Sequence, residues 1–397
     1  MDILTMVRYK NQQTKDAVVI RPQEKKRMKE IDIFKDAVKD VSAIAAGIKK
    51  KQNKIIGYLC SYAPEELIYA AGFHPMRLFS SKSDIVLAEN HLQAYCCSMV
   101  RGVLEDSLSG RLDFLDGTVF PHTCDSIQRM SDIWRMKGKY DFFADVVLPV
   151  KLNTPSARTY MMDVLNKFKN ELETAAGKEI TDADLQASIK TFNLIRKNLS
   201  EIYGLQSQKP GIIKGADLSA IVKGSMIMDR DEVAELLPAI VDRLKRVTTP
   251  GKIGKRIVVS GSICDSPDIY TALEASGGVI VGDDLCTGQR WFDGEILDDK
   301  NPMAAIANRY IDRMICPAKH ISPTARGENI ISLAKKNRAD GVIFILFKFC
   351  DPHAFDYPFL KEFLDREGIK NLLVEIDDQQ QNLGQLSTRF ETFVHMI

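Results

Sequence analysis

Gly341-Val342-Ile343-Phe344-Ile345-Leu346-Phe347, followed at once by Lys348-Phe349-Cys350-Asp351-Pro352, decides how this chain folds. The run is the longest unbroken apolar stretch and is rich in β-branched and aromatic residues. It is far shorter than the roughly 20 residues a membrane helix needs, so it reads as a buried strand. A strand buried on both faces belongs to a parallel sheet with crossover helices. Outward from it, strands are expected near 256–260, 279–282 and 371–375, separated by helix-length spacers. A second set is expected near 55–60, 75–79, 117–121 and 145–149.

The two sets predict an α/β protein of two Rossmann-like parallel-sheet domains, at 55–155 and 249–397. Between them, residues 156–248 carry apolar residues at three- and four-residue spacing with no strand pattern, which predicts a helical insert. Tyr160, Val164, Phe168 and Leu172 make one stripe. Thr181 with Asp184 resembles a capping box opening a second stripe of Leu185, Ile189, Phe192 and Ile195. Val233, Leu236, Leu237, Ile240 and Leu244 make a third, ending at Thr248-Thr249-Pro250-Gly251, the expected boundary. A short helix from Pro64 to Ala71 should follow the first strand, with Pro64 at its first position and Glu65 and Glu66 favourable to its dipole. Residues 1–54 form a basic, helical N-terminal segment, with lysine-rich runs at Glu24-Lys25-Lys26-Arg27 and Lys49-Lys50-Lys51.

The 397 residues are two to three times the commonest domain size. With 45% apolar and 27% charged residues, there is enough apolar material for real cores. Lys plus Arg at 54 against Asp plus Glu at 53 gives a net charge of +1, so no global field holds a polyanion, and no nucleic-acid partner is expected. Nothing at the N-terminus has the form of a secretory signal, and no membrane span is present, so the expected location is cytoplasmic. There is no P-loop, no G-x-G-x-x-G after a strand and no G-x-S-x-G elbow.

Eight cysteines in such a chain are thiols, metal ligands or buried fillers rather than a disulfide framework. Four lie at strand exits, where open parallel sheets bind ligands: Cys60, Cys124, Cys264 and Cys350. Cys96 and Cys97 form a pair before Ser98, and Cys286 follows Asp283-Asp284-Leu285. Cys316, before a proline, reads as a filler. Thiolates select iron or zinc. His122-x-Cys124 with Cys350-x-x-His353 would supply a two-Cys, two-His zinc site, and spacing alone leaves that alternative open.

Six motifs in order carry a resemblance. They are Gly57-Tyr58-Leu59-Cys60-Ser61-Tyr62-Ala63-Pro64-Glu65-Glu66, Cys97-Ser98-x-x-Arg101, Pro121-His122-Thr123-Cys124-Asp125, Gly282-Asp283-Asp284-Leu285-Cys286-Thr287-Gly288-x-Arg290, Lys348-Phe349-Cys350-Asp351-Pro352 and Gly384-Gln385-Leu386-x-x-Arg389. Together they resemble the 2-hydroxyacyl-CoA dehydratase and benzoyl-CoA reductase family from about residue 55 to 397, with the N-terminal stretch and the helical insert outside it. The resemblance implies an iron–sulfur subunit that passes single low-potential electrons to an acyl-CoA or aroyl-CoA thioester. It implies a homologous second subunit and a separate ATP-hydrolysing iron–sulfur activator protein as partners. It implies a [4Fe-4S] cluster held by Cys97, Cys124 and Cys350, leaving one iron open; Cys96 competes with Cys97 for its place.

His122, Glu66, Asp351 and His353 sit in the right motifs to move protons. Each also has a structural explanation: Glu66 as a helix N-terminal acid, His353 as a cap for a helix starting near Ala354. Asp283, Asp284 and Arg290 read as an ion-paired loop without a catalytic role. The stretches 124–135 and 284–292 look closest to the smaller subunit of benzoyl-CoA reductases, which leans the expected reaction toward ring reduction to a dienoyl-CoA. The alternatives are a 2-hydroxyacyl-CoA dehydratase forming an enoyl-CoA, a double-cluster reductase of small non-CoA substrates, and a zinc-binding scaffold subunit.

Overall fold

The computed structural model describes residues 28–397 apart from 82–83, 138–139, 252, 265–266, 298 and 378–382, so the basic run at 24–27 lies outside the described residues. Helices α1 (Lys29–Lys39) and α2 (Val41–Lys50) are broken by Asp40, whose carboxylate accepts the Ala43 amide at 2.9 Å as an N-cap. Strand β1 (Ile55–Tyr58), helix α3 (Glu65–Ala70), β2 (His74–Arg77), α4 (Ser98–Leu108), β3 (Gly117–Pro121), α5 (Asp125–Lys137) and β4 (Phe142–Val146) follow. Pro64 is the N-cap of α3 rather than its first helical residue, and Gly72 ends that turn at φ +86°.

Four long helices come next: α6 (Pro155–Ala176), α7 (Asp182–Gln208), α8 (Gly215–Ile227) and α9 (Arg230–Arg246). Thr181 and Asp184 form the capping box at the start of α7. The buried face of α6 is Ala157, Met161, Leu165, Phe168 and Leu172. Tyr160, read from sequence as part of that stripe, is 45% exposed; an amphipathic tyrosine fits the rim as well as the core. Helices α1 and α7–α9 share a core with Trp291 and Phe292.

The second sheet carries β5 (Lys255–Gly261), α10 (Pro267–Ala275), β6 (Gly278–Asp284), α11 (Gln289–Phe292), α12 (Pro302–Asp312), α13 (Ala325–Lys336), β7 (Gly341–Phe347), α14 (Asp351–Arg366), β8 (Lys370–Ile376) and α15 (Leu383–Met396). Both sheets are four-stranded and all parallel, in the orders β2-β1-β3-β4 and β6-β5-β7-β8. All seven residues of β7 are buried. In each sheet the chain steps from its first strand to one side and then crosses to the other. The switch points therefore lie at β1/β3 and β5/β7, where a parallel sheet opens a crevice beyond its carboxyl ends. Strand β4 is an edge strand with three of its five residues only partly buried. It begins three residues before the expected 145–149, because the apolar signal at Leu148 comes from a buried loop residue beyond the strand.

Candidate thiol-lined site

The carboxyl ends of the two sheets meet at a cavity of about 80 Å³ walled by six cysteines: Cys60, Cys97, Cys124, Cys286, Cys316 and Cys350. Leu59, Val100, Ile127, Ile263 and Phe347 make most of the remaining wall apolar, and Arg77, Ser262 and His353 add polar groups.

Five of the six cysteines arrive there at a strand exit or a helix start. Cys60 leaves β1 and Cys286 leaves β6. Cys97 is the N-cap of α4, and its carbonyl accepts the Val100 and Arg101 amides at 3.1 and 3.2 Å. Cys124 stands directly before α5, its carbonyl accepting the Gln128 amide at 3.1 Å. Cys350 is the N-cap of α14, accepting the His353 and Ala354 amides at 3.1 and 2.9 Å. Phe349, just before it, sits at φ +63°, a left-handed conformation that is a real outlier for a bulky residue and that turns the chain into the cavity. Three thiols thus stand at helix N-termini, whose partial positive charge favours thiolate.

Burial opposes that. It pushes the Cys124 thiol well above its usual range, helped by Cys97 and Cys350 close by, while the Ile127 amide pulls the other way. Burial raises Cys350 likewise, again with Cys97 as a neighbour. Burial moves Cys316 up to about 11, against the pull of Arg290. The three helix-capping thiols therefore sense one another, and positive charge placed between them would favour their thiolate forms. Among the described residues no group of three or more His, Cys, Asp or Glu side chains closes around a single metal ion. The sulfurs ring a cavity rather than a point.

Cys96 is buried but directs its sulfur at Gln93 Oε1, 3.8 Å away, and does not line the cavity. Cys264, expected at the site with the other strand-exit thiols, is buried outside these walls, with its amide on Thr287 Oγ1 at 3.2 Å. Cys316, read as a filler, is one of the walls. Nothing local in the sequence marks it, since it reaches the cavity from the loop after α12.

Of the four residues expected to move protons, only His353 lines the cavity. It belongs to the first turn of α14, which begins at Asp351 rather than near Ala354. Burial, with Arg290 and Arg326 near it, holds its imidazole neutral well below the usual range. Asp351 is exposed at the same helix start. His122 directs Nε2 at Asp145 (2.8 Å) and Ser131 (3.3 Å), away from the thiols, so the two-Cys, two-His arrangement is not assembled. Glu66 is fully buried and occupied: it pairs with Arg196, accepts Tyr310 Oη at 3.0 Å and lies 3.8 Å from Arg309. Burial pushes that carboxyl up, but Arg196 and Arg309 outweigh it and hold it below the usual carboxylate range. Glu65 accepts from Arg230 at 2.9 Å and from Trp291 Nε1 at 2.5 Å. The two acids at the start of α3 thereby tie the first sheet to the four-helix insert.

Positive charge surrounds the thiols. Arg290 is buried against Asp284 and donates to Cys286 Sγ at 3.1 Å, the ion-paired loop expected from sequence. Arg313, 3% exposed, has no hydrogen-bond partner for Nε or either terminal nitrogen and stacks 3.9 Å over the Tyr62 ring. Lys319 gives its ammonium to the Leu148 carbonyl at 2.9 Å, and burial brings it down to about 8. Sequence reading missed both; their three-residue spacing about Cys316 is the only signal they leave.

Known proteins resemble the chain over most of its length. The family model described as "2-hydroxyglutaryl-CoA dehydratase, D-component" matches residues 60–397, running straight through the helical insert, which the motifs alone leave outside the resemblance. The chain is 30% identical over 361 residues to the (R)-phenyllactyl-CoA dehydratase beta subunit of Clostridium sporogenes, covering 91% of this chain and 96% of that protein. It is 30% identical over 353 residues to a subunit of the benzoyl-CoA reductase of Thauera aromatica, covering 87% and 91%. It is 28% identical over 374 residues to the beta subunit of the (R)-2-hydroxyglutaryl-CoA dehydratase of Acidaminococcus fermentans, covering 92% and 98%.

Proposed function

The chain belongs to the 2-hydroxyglutaryl-CoA dehydratase D-component family, and on that footing we propose that it is the iron–sulfur subunit of an enzyme acting on an acyl-CoA thioester. Cys97, Cys124 and Cys350 would hold a [4Fe-4S] cluster in the cavity between the sheets. The observation that carries this reading is the ring of thiols contributed by both sheets around one largely apolar cavity, three of them at helix N-termini.

Such a cluster supplies one-electron transfer and an iron with room for an oxygen ligand. The chain's own part is to bind, shield and compensate. Binding such a cluster would require these thiols to ionise and would release protons. The amides at the starts of α5 and α14, with Arg290, Arg313 and Lys319 near the thiols, would offset the negative charge of thiolates and of a group held by them. The apolar wall keeps water from a reactive centre. His353, which lines the cavity and is held neutral by burial and the nearby arginines, would offer a polar ring edge to a ligand there.

The reaction we favour is 2-hydroxyacyl-CoA dehydration, supported by the family description and by the beta-type dehydratase relatives. Ring reduction, toward which the motifs at 124–135 and 284–292 lean, is the second reading, since the benzoyl-CoA reductase relative is as similar as the phenyllactyl-CoA dehydratase relative. These relatives are named as subunits, which supports a homologous partner; a separate ATP-hydrolysing activator completes the proposed system. Among the described residues no helix is long and apolar enough to cross a membrane.

Anaerobically purified protein should be brown and contain iron and acid-labile sulfide. With partner, activator, ATP and a low-potential donor, phenyllactyl-CoA and benzoyl-CoA should be offered side by side. Enoyl-CoA without net electron consumption supports dehydration; dienoyl-CoA supports the second reading. Colourless protein with stoichiometric zinc would overturn both.

A further inference from the structure

Arg77, the last residue of β2, is 2% exposed, and its Nε and one terminal nitrogen have no hydrogen-bond partner. No carboxylate pairs with it among the described residues; its guanidinium lies 5.6 Å from the centre of the Tyr58 ring and 6.0 Å from that of Phe79. A buried arginine with unspent donors is costly unless a ligand takes them up. Arg77 is also the one residue shared by the walls of the thiol cavity and of a second, larger space.

That second space is a groove of about 670 Å³ between α1, α2, the end of β2 and α8, within the size range of small-molecule and cofactor sites. Its walls combine apolar side chains, among them Val38, Val41, Leu78, Phe79, Leu112 and Phe114, with five cations against one carboxylate, Asp40. Lys35 and Arg111 are paired to Asp217 and Asp106. Three further cations line the groove: exposed Lys39, Lys223, which is buried with its ammonium 5.0 Å over the Phe79 ring, and Arg77. An elongated ligand fits this pattern if it has an apolar arm, an anionic portion and a carbonyl that reaches the thiols.

The geometry points to this groove as the binding site for an acyl-CoA thioester, with Arg77 at the junction donating to the thioester carbonyl and Lys39 and Lys223 attracting the phosphates. The inference rests on the proposed CoA-thioester function and gives that function a location. The cations assigned to the phosphates are not in the dense basic runs of the sequence; two separate helices, α1 and α8, contribute them.

Calorimetric titration of the purified chain with benzoyl-CoA and with free CoA tests it, with iron measured on the same preparation. Arg77→Met should weaken benzoyl-CoA at least tenfold and free CoA less than threefold, because only the former carries the carbonyl. Lys39→Glu, at an exposed position, should weaken both ligands, and more so at low salt. If both variants, folded by circular dichroism, bind benzoyl-CoA as the wild type does, the assignment is overturned. Should Arg77→Met fail to fold, the Lys39→Glu result alone decides. Protein without iron that binds benzoyl-CoA through these residues would overturn the cluster and keep the groove. Iron-loaded protein with no such binding would do the reverse.

Discussion

One guanidinium nitrogen of Arg290 lies 3.1 Å from the sulfur of Cys286, while its Nε and its other terminal nitrogen hold Asp284 Oδ1 at 3.0 and 2.7 Å. A single buried cation thus serves a carboxylate and a thiol of the cavity wall. Arg290→Met should destabilise the protein by about 3–5 kcal/mol, because it leaves the buried Asp284 carboxylate without its principal cation, with Arg326 and the Ser260 hydroxyl still against Oδ2. Urea denaturation measures the loss, and an unchanged midpoint would show that the pair does not hold the loop.

Adjacent cysteines should behave differently. Cys97→Ser should lose most of the bound iron and sulfide, whereas Cys96→Ser should keep them, since only Cys97 lines the cavity. Iron and sulfide assays on anaerobically purified variants decide it. Equal retention in both would move the ligand assignment elsewhere.

Arg313 is predicted to trade stability for charge. With none of its three nitrogens hydrogen-bonded, Arg313→Met should leave the cluster-free protein as stable or more stable in a thermal melt. In the loaded protein the same change should lower the midpoint potential in a redox titration, because a nearby positive charge favours the reduced form. An unmoved potential would separate Arg313 from the site.

Acid should weaken the fold through His74. Burial first, then the neighbouring Arg230, brings its imidazole down to about 3, and Nε2 donates to the Ile227 carbonyl at 2.8 Å. The unfolded chain takes up that proton near pH 6.5, so the contribution is whole above that pH and is lost as pH falls toward 3, at about 1.4 kcal/mol per unit. Denaturant midpoints at pH 7 and 4.5 should fall less in His74→Gln than in the wild type.

Much of this was written in the sequence, for identifiable reasons. The buried strands β5, β6 and β7 announce themselves by apolar runs, and the Thr181–Asp184 box by its spacing. The half-exposed edge strand β4 was misplaced because the burial of Leu148 belongs to tertiary packing. At the site, Cys97, Cys124 and Cys350 were legible through their motifs. Whether Cys264 or Cys316 joins them depends on how distant loops settle against one another, which no local pattern encodes. The same holds for Glu66. An acid at a helix start looks available for chemistry until Arg196 and Tyr310, from helices far along the chain, occupy it.

Cys97 and Cys124 belong to one sheet and Cys350 to the other, with the whole four-helix insert between them in the chain. The cavity consequently does not exist in a nascent polypeptide. Until β7 has paired with β5 and α14 has formed at its end, the first thiols face open solvent with nothing opposite. Contacts of such long sequence separation form late, after the costly loop closure. Maturation of the site must therefore follow synthesis of nearly the entire chain, and the interval before it is when these sulfurs are most open to oxidation.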